Sequence, residues 1–290
     1  MKFIIITVLY NERVDNTFVY NTLLQGQKNK DHSNEYTVKS LVFDNSDNLD
    51  IVEYNREFNF KENITYVSMK KNVGLSKAYN TGLSMINLDD DSWIIISDQD
   101  TSYLENFIEN IYEIVKLNNA NVLAPIVRNG GNLVSPCHIN GKHFVCEEND
   151  FNMVDKKKQV FINSGLCINA KLFQKIRYDE GLFLDFVDYD CIYQFINMEI
   201  YKPYVIKENI IQQNFSGQTK KTYEADYRRY KIYCRDGIYF YSKWYKKNIF
   251  KFQILFARAL KLCLIHNNFK FLLFFLKSSK NRKYYLGEHL

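Results

Sequence analysis

The fold follows from one stretch of the chain, Trp93-Ile94-Ile95-Ile96-Ser97-Asp98-Gln99-Asp100. Its first half is short, apolar and β-branched, which is typical of a strand buried on both faces of a parallel sheet. The strand ends at two carboxylates in positions i and i+2, which can converge on one hard cation such as Mg²⁺ or Mn²⁺. Such a cation is well suited to neutralising a diphosphate. A single D-x-D also occurs by chance in loops, so its position on the sheet determines whether a functional interpretation is justified.

Similar apolar runs lie on either side of this strand. They are Phe3 to Tyr10, Val38 to Phe43, Ile64 to Ser68 and Asn121 to Val127, with helices predicted through Ile86 and from about Leu104 to Leu117. This alternation predicts an α/β fold with a mostly parallel, doubly wound sheet flanked by helices. Ligands of such sheets bind beyond the carboxyl ends of the strands. Asn11, Asp44, Asn72 and Asp98 follow such ends, so we expect them to line one crevice.

Two of these strand ends also have ordinary structural explanations. Asp44-Asn45-Ser46 is typical of a turn, although the Asp44 carboxylate could accept a hydrogen bond from a base N–H. Asn72 and Gly74 precede a predicted helix, whose N-terminus favours an anion and whose small residues allow close approach of a ligand. Close packing of that helix on the sheet explains Gly74 equally well. The glycine spacings of the Walker and dinucleotide motifs are absent.

Three further aspartates, Asp185, Asp188 and Asp190, lie about 90 residues beyond the first pair, where another helix is predicted. A carboxylate that faces the crevice could take the proton from an incoming hydroxyl as a general base. Helix capping and the helix dipole are sufficient reasons for one or two of the three. We predict Asp188 as the base and the other two as its supports.

Between residues 128 and 158 the alternation of strands and helices is replaced by a polar stretch. This stretch is too long for an ordinary connection and predicts a functional flap.

Composition limits the remaining possibilities. A chain of 290 residues with 46% apolar content can form a full core without cross-links. The six cysteines include no C-x-x-C pair, so neither a zinc site nor a disulfide framework is predicted and buried thiols are expected. The N-terminal apolar run is too short for a signal peptide, which favours a cytoplasmic location. The five histidines fit no metal spacing, and no Ser-His-Asp arrangement is recognisable.

The net charge of +5 is distributed unevenly along the chain. Residues 228–290 carry +13 and residues 1–227 carry −8. The basic end is rich in aromatic residues and predicted to be helical, but its apolar stretches fall short of the ~20 residues that a membrane-spanning helix needs. We expect these helices to lie on an anionic membrane surface. Packing on the domain or on a second subunit is the alternative, and composition alone would also allow nucleic acid.

Taken together, the motifs resemble the family 2 glycosyltransferases, which have the GT-A fold. The resemblance rests on Thr7 to Asn11, Asp44-Asn45-Ser46, Asn72-x-Gly74, Asp98-Gln99-Asp100, Asn163-Ser164-Gly165 and Val187-Asp188-Tyr189-Asp190. Within the family, the Asp-Gln-Asp form and the stretch Phe183 to Asp188 look most like bacterial rhamnosyltransferases of polysaccharide synthesis. The resemblance places a GT-A domain at residues 1–217 and a helical, basic, aromatic-rich extension at residues 218–290.

This resemblance implies a metal-dependent, inverting transfer of one sugar from a nucleotide diphosphate donor. The donor would contact Thr7, Asn11, Asp44, Asn72, Gly74, Asp98 and Gln99, the metal would contact Asp98, Asp100 and Gln213, and Asp188 would deprotonate the acceptor. Many relatives have a histidine where this chain offers Gln213 or Asn214, and amide oxygens bind Mg²⁺ weakly. The expected donor is dTDP-rhamnose, otherwise a UDP-hexose. The expected acceptor is a lipid-linked saccharide at the inner face of the membrane, with no nucleic acid partner, and a homodimer is conceivable.

Two other functions are compatible with parts of this pattern. A sugar nucleotidyltransferase would share the sheet, but the loop after its first strand is usually rich in glycine, whereas this chain has Tyr10-Asn11-Glu12-Arg13. A non-catalytic module recruited to the membrane by its basic tail would have no need of Asp98, Asp100 and Asp188. Release of pyrophosphate would favour the first alternative, and failure to use any donor sugar would favour the second.

Overall fold

Nine strands among the described residues form one main sheet. The computed structural model describes residues 1–28, 35–62, 64–148, 151–213, 222–246 and 252–280. The strands are β1 (Lys2–Leu9), β2 (Thr37–Asp44), β3 (Thr65–Ser68), β4 (Ser92–Asp98), β5 (Thr101–Ser102), β6 (Val122–Asn129), β7 (Asn132–Ser135), β8 (Cys137–Asn140), β9 (His143–Val145), β10 (Gln159–Val160), β11 (Cys167–Asn169) and β12 (Pro203–Gln213). The α-helices are α1 (Gln25–Lys28), α2 (Leu49–Lys61), α3 (Leu75–Ser84), α4 (Phe107–Leu117), α5 (Val187–Ile196), α6 (Tyr223–Trp244), α7 (Gln253–His266) and α8 (Lys270–Lys280).

The strand order brings the predicted polar residues to one edge. Across the main sheet the order is β3-β2-β1-β4-β11-β6-β12-β5, and β7 pairs with β6. β1 lies between β2 and β4 and is parallel to both, with Leu9 beside Asp44 and Val8 beside Asp98. β3 continues the parallel set, with Ser68 beside Asp44. The carboxyl ends of four strands therefore lie level, as the sequence predicted.

Both faces of the sheet are covered, which explains the uninterrupted apolar runs. Ile6 and Ile96 pack into the cluster on one face, and Ile5 and Ile95 pack into the cluster on the other. All four side chains are buried because side chains alternate between the faces of a strand and each face has helices on it. The prediction of an α/β fold with a mostly parallel sheet is confirmed.

The second half of the sheet differs from the sequence prediction. β11 is antiparallel to both of its neighbours, β4 and β6. β12 was not predicted at all, because its apolar residues are separated by Lys207-Glu208-Asn209. A register shift between Ile206 and Ile210 accommodates these polar residues against β6. A bulge of this kind hides the alternation that identifies a strand.

The polar stretch from residue 128 to 158 contains more regular structure than expected. β7 turns back on β6, and β8 pairs with β9 and β10 in a small second sheet. The hairpin of β8 and β9 pairs His138 with Val145, and the flanking Cys137 and Cys146 form a disulfide. The prediction of no disulfide is therefore wrong, because hairpin register rather than sequence spacing brings the two cysteines together. The other four cysteines are buried thiols, as expected.

Two smaller predictions also change. The helix expected near Ala170 is a 3-10 helix, Ala170–Gln174. The boundary predicted between residues 217 and 218, and the alternative ligand Asn214, lie outside the described residues.

The C-terminal helices pack against the sheet domain through α6. Tyr230, Cys234, Ile238 and Tyr241 of α6 are buried in the same cluster as one face of the sheet. α7 and α8 pack against each other and against α6. The helical prediction for this region is confirmed, and α6 belongs to the core rather than to a separate appendage. No helix within the described ranges is long and apolar enough to span a bilayer.

Candidate active site

An open crevice of about 1200 Å³ lies at the carboxyl ends of the parallel strands. The strand ends, the loop before α5 and one side of α6 and α7 form its walls. Among the predicted site residues, it is lined by Asn11, Asn72, Gly74, Asp98, Gln99, Asp100, Asp185, Asp188 and Gln213. Three others, Thr7, Asp44 and Asp190, are fully buried outside its lining.

Asp98 and Asp100 face this crevice as an acidic pair. Ser164 donates a hydrogen bond to Oδ2 of Asp98, and the buried Tyr79 hydroxyl lies 3.5 Å from its Oδ1. Burial raises the pKa of Asp98. Burial and the neighbouring Asp98 charge raise the pKa of Asp100 to about 7. Neither carboxylate forms an ion pair with a basic side chain in the described part of the chain, so the pair lacks a compensating cation.

Gln213 lies at the end of β12, beside this pair. Its Nε2 donates to Oδ1 of Asp100 at 2.6 Å, and its Oε1 accepts from the Thr101 hydroxyl at 3.0 Å. The amide therefore orients Asp100 in this conformation, and its oxygen is already occupied. Antiparallel pairing of β12 with the short β5 brings Gln213 level with Thr101.

Asp188 is partly exposed in the first turn of α5 and lines the same crevice. The Tyr189 backbone N–H donates to its Oδ1 at 2.8 Å, and no basic side chain among the described residues contacts it. Burial is the main cause that raises the pKa of Asp188 to about 7, and the charges of Asp98 and Asp185 add to it. A carboxylate with a pKa near neutrality that faces a crevice is suited to accept a proton.

The two other aspartates of this region have structural partners. Asp185 lines the crevice, but Arg229 of α6 holds both of its oxygens, with Nη2 at 2.7 Å from Oδ1. Asp190 is fully buried and accepts hydrogen bonds from Gln194 and Trp244, with Lys243 at 2.8 Å. Its carboxylate joins α5 to α6 and does not face the crevice.

Sequence reasoning missed Asp236 of α6, which organises the loop that precedes α5. This fully buried carboxylate accepts three consecutive backbone N–H groups, those of Phe183, Leu184 and Asp185, at 3.1, 2.8 and 3.0 Å. Arg235 pairs with its other oxygen at 3.0 Å. The loop then continues through Phe186, which has a left-handed backbone with φ of 63°. Such a conformation is costly for a phenylalanine and persists only where the surroundings impose it.

We expect Asp236→Asn to reduce activity from a distance. The change removes the charge that accepts three N–H groups and leaves Arg235 without a carboxylate, and hydrogen bonds to a buried charge contribute about 1.5–3 kcal/mol. The predicted result is a free energy of unfolding lower by about 2 kcal/mol and a larger loss in kcat than in donor KM. Urea unfolding and steady-state kinetics measure both. Asp91→Asn, at an exposed position, is the control and should behave as the wild type does. If Asp236→Asn also gave wild-type values in both assays, this role for Asp236 would be refuted.

The ends of β1, β2 and β3 are joined by short polar contacts. Asn11, at φ 50°, accepts from the backbone of Asp47 at 3.0 Å, and Asn72 accepts from Gly74 N–H at 3.1 Å. The Gln99 side chain accepts from the Tyr10 backbone at 2.8 Å. Gly74 has φ of 85°, and a Cβ there would lie 2.7 Å from Phe183, so this position requires glycine.

The N-terminus of α3 is partly occupied by the protein itself. The Leu75 N–H donates to the Phe183 carbonyl at 2.7 Å, so this amide is not available to an anion in the present conformation. Phe183 also packs over Gly74. Close contact with the loop that precedes α5, rather than packing of α3 on the sheet, therefore accounts for Gly74 in this conformation.

Asp44 and Thr7 lie at the expected edge but face inward. The Asp44 carboxylate accepts from Asn55, Tyr66 and the Ser46 N–H, each at 2.8 Å. Direct contact between Asp44 and a base would require these bonds to open. The Thr7 hydroxyl is buried and has no hydrogen-bond partner among the described residues.

The family comparison fits this geometry. The family model described as Glycosyl transferase family 2 matches residues 4–177, more than half of the chain. The chain belongs to glycosyl transferase family 2. The match covers the strand ends and the Asp98–Asp100 pair, whereas Asp188 and Gln213 lie beyond it. No curated protein matches the sequence.

Solved structures with low sequence identity share the fold of this family 2 chain. GalNAc-T7 with UDP, GalNAc and Mn²⁺ has a TM-score of 0.57 at 13% identity, over 98% of this chain and 58% of that one. The mannosyltransferase PcManGT from Pyrobaculum calidifontis, in complex with GDP-Man and Mn²⁺, has a TM-score of 0.54 at 12% identity, over 99% and 76%. S. aureus TarS has a TM-score of 0.50 at 15% identity over 81% of this chain, which spans 39% of the length of TarS. The predicted family and fold are confirmed, and a special closeness to rhamnosyltransferases remains a prediction.

Proposed function

We propose that this protein is an inverting, metal-dependent glycosyltransferase that moves one sugar from a nucleotide diphosphate donor to an acceptor hydroxyl. The single observation that carries the proposal is that two acidic groups line one crevice. Asp98 and Asp100 lie at the end of β4, and Asp188 lies in the first turn of α5. Family membership and the Mn²⁺ and nucleotides in the GalNAc-T7 and PcManGT structures support it. dTDP-rhamnose is the first donor to test, followed by UDP-hexoses.

Asp98 and Asp100 fit a divalent cation by their chemistry. They are hard oxygen ligands that share a site without a compensating positive charge. Across the described ranges, no group of three or more His, Cys, Asp or Glu side chains could hold a metal ion. Protein cages are not usual for Mg²⁺, which keeps waters and substrate phosphates as ligands. When bound, the cation would neutralise charge on the departing nucleoside diphosphate. The chain's own contribution is to hold the two carboxylates in place through Ser164 and Gln213.

Asp188 would take the acceptor proton as the acceptor oxygen attacks the anomeric carbon from the face opposite the leaving group. The bond from acceptor oxygen to carbon forms while the bond from carbon to phosphate oxygen breaks, so the configuration inverts. The raised pKa lets the carboxylate accept a proton near neutral pH. Asp185, tied to Arg229, would fix the loop that carries this base.

A screen of nucleotide sugars with Mn²⁺ tests the proposal. The expected product is a nucleoside diphosphate, released with at least one donor and suppressed by EDTA. Pyrophosphate release would instead show a nucleotidyltransferase. No turnover with any donor, under conditions where the protein is folded, would favour the non-catalytic module.

We also propose a lipid-linked acceptor and a peripheral position on the inner face of the cell membrane. Large apolar side chains are exposed on α7, on α8 and in the turn between them, among them Leu264 at 84%, Phe269 at 72% and Leu273 at 63%. Exposed lysines, including Lys261, Lys270 and Lys277, lie on the same two helices. Apolar residues flanked by lysines suit the interface of an anionic bilayer.

Replacing Leu264 or Leu273 with glutamate is expected to abolish binding to vesicles that contain phosphatidylglycerol. The introduced charges would face the anionic surface and the apolar contact would be lost. Leu117→Glu is the matched control, since Leu117 is 82% exposed on the distant α4. Vesicle cosedimentation measures the binding. If the wild type does not sediment with vesicles and Leu264→Glu splits a dimer in light scattering, this surface is a subunit contact instead.

A further inference from the structure

Two arginines bring positive charge into the crevice from the C-terminal helices. Arg228 of α6 and Arg258 of α7 both line it and are both exposed. Their neighbour Arg229 is paired with Asp185, whereas neither Arg228 nor Arg258 forms an ion pair with a carboxylate of the described residues. Exposed arginines without acidic partners, in a crevice that also contains unpaired aspartates, are available to bind an anion.

The two arginines serve different parts of the crevice. The Arg228 charge acts on the phenol of Tyr10, at the end of β1, where the donor nucleotide is proposed to lie. Arg258 instead stacks on Tyr233, with its guanidinium carbon 4.0 Å from the ring centroid. The Tyr233 ring in turn packs on Phe186 at 5.5 Å, two residues before Asp188. Arg258 is therefore on the side of the proposed base, where the acceptor would enter.

Stacking on Tyr233 holds the planar guanidinium of Arg258 in an orientation that suits binding of a phosphate. The aromatic ring of Tyr233 supports one face of the guanidinium and restricts its rotation. The Tyr233 hydroxyl takes a hydrogen bond from Arg258, and the other N–H groups of the guanidinium can serve a ligand. Guanidinium groups bind phosphate through two parallel hydrogen bonds. Leu262, four residues after Arg258 on the same face of α7, also lines the crevice. An anion bound at Arg258 would thus lie next to this apolar side chain.

We propose that Arg258, stacked on Tyr233, binds a phosphate ester of the acceptor substrate and so selects phosphate-bearing acceptors. The inference rests on the proposed glycosyltransferase function and adds the chemical class of the acceptor. The phosphate is carried either by the lipid anchor, whose chain would pass Leu262, or by the saccharide itself.

Binding of dodecyl phosphate, inorganic phosphate and neutral dodecyl glucoside to the full chain tests this site without any donor. By calorimetry below micelle-forming concentrations, Arg258→Gln is expected to weaken dodecyl phosphate binding about 10- to 100-fold, as for the loss of a charge-assisted bidentate contact. Arg258→Lys should recover part of the affinity. Lys175→Gln removes a positive charge from an exposed site outside the crevice and should bind as the wild type does. Circular dichroism verifies that each variant is folded.

Each outcome decides the proposal. Loss of affinity for both phosphates in Arg258→Gln supports a phosphate site that also accepts saccharide phosphates, and loss for dodecyl phosphate alone assigns the phosphate to the lipid anchor. Equal losses in Arg258→Gln and Lys175→Gln, or equal binding of dodecyl glucoside, would overturn it. Phosphate binding that depends on Arg258 in a protein that hydrolyses no nucleotide sugar would keep the site and reject the proposed function. Hydrolysis of a nucleotide sugar by a protein that shows no such phosphate binding would keep the proposed function and reject the phosphate site.

Discussion

Asp188→Asn is expected to lower the rate of sugar transfer about 10²- to 10⁴-fold, the range typical for loss of a general base. The amide is nearly the same size as the carboxylate, but it cannot take the acceptor proton. Donor binding should persist, because the substitution leaves the proposed metal ligands Asp98 and Asp100 unchanged. Steady-state transfer assays and calorimetry with a nucleoside diphosphate measure the two quantities separately. Near-normal transfer by this variant would contradict the assignment of the base.

The pH dependence of the wild type provides a second measurement of the same residue. The base must be ionised to act, so transfer at saturating Mn²⁺ and donor should fall at low pH. The pKa of Asp188 is about 7 when no cation offsets the charge of Asp98, and a cation bound there would lower it, so the fall should lie below pH 7. The ionisable groups that interact with Asp188 are Asp98, Asp185 with its partner Arg229, Tyr79, Tyr178, Tyr189 and Cys191. Asp188→Asn should remove this limb from its residual profile.

The free energy of unfolding should fall with rising pH over the range in which activity rises, and Asp188→Asn should likewise change the two in opposite directions. Because the pKa of Asp188 is higher in the folded than in the unfolded chain, the folded state binds more protons and loses stability as the pH rises from about 4 to 7. At about pH 8 the ionised carboxylate is destabilising, so Asp188→Asn should raise the free energy of unfolding there. A variant that is less active and also less stable would instead indicate a damaged fold.

Asp100→Ala is expected to weaken metal binding at least about 100-fold and to abolish transfer with it, since even indirect supports of a metal site are worth 10- to 100-fold. The change removes one of two charged ligands and leaves Gln213 without its acceptor. Gln213→Ala should weaken the metal less, because Gln213 orients Asp100 rather than supplying charge. Mn²⁺ titration followed by electron paramagnetic resonance measures the affinities. Unchanged Mn²⁺ affinity in Asp100→Ala, with Asp91→Ala as control, would rule out this metal site.

The first half of the fold and the donor side of the site could be predicted from the sequence because their signals are local. Each buried strand is an uninterrupted apolar run, and parallel strands end at one edge, so Asn11, Asn72 and Asp98 had to converge. β12 could not be recognised, because the polar bulge after Ile206 hides its alternation. The Cys137–Cys146 disulfide was missed for a related reason, since only the hairpin register brings those residues together.

The residues that support the acceptor side of the site could not be recognised from the sequence, because they connect distant parts of the chain. Asp236 lies more than 50 residues after the loop whose N–H groups it accepts. Nothing near Asp236 in the sequence distinguishes it from an ordinary surface residue of a helix. In the sequence, Arg229 and Arg258 are likewise indistinguishable from the other charges of the basic tail. The structure shows that α6 and α7 place them in the crevice. The direction of the Asp44 carboxylate, toward Asn55 and Tyr66, also depends on packing that local sequence does not report.

Calorimetric titration of nucleoside diphosphates, with UDP, dTDP and GDP in turn, tests the central claim most directly. We predict that at least one of them binds the wild type only with Mn²⁺, that Asp100→Ala abolishes this binding, and that Asp188→Asn retains it. Nucleotide binding that is equally tight in EDTA, or that survives in Asp100→Ala, would contradict the claim that Asp98 and Asp100 hold the leaving group through a metal ion.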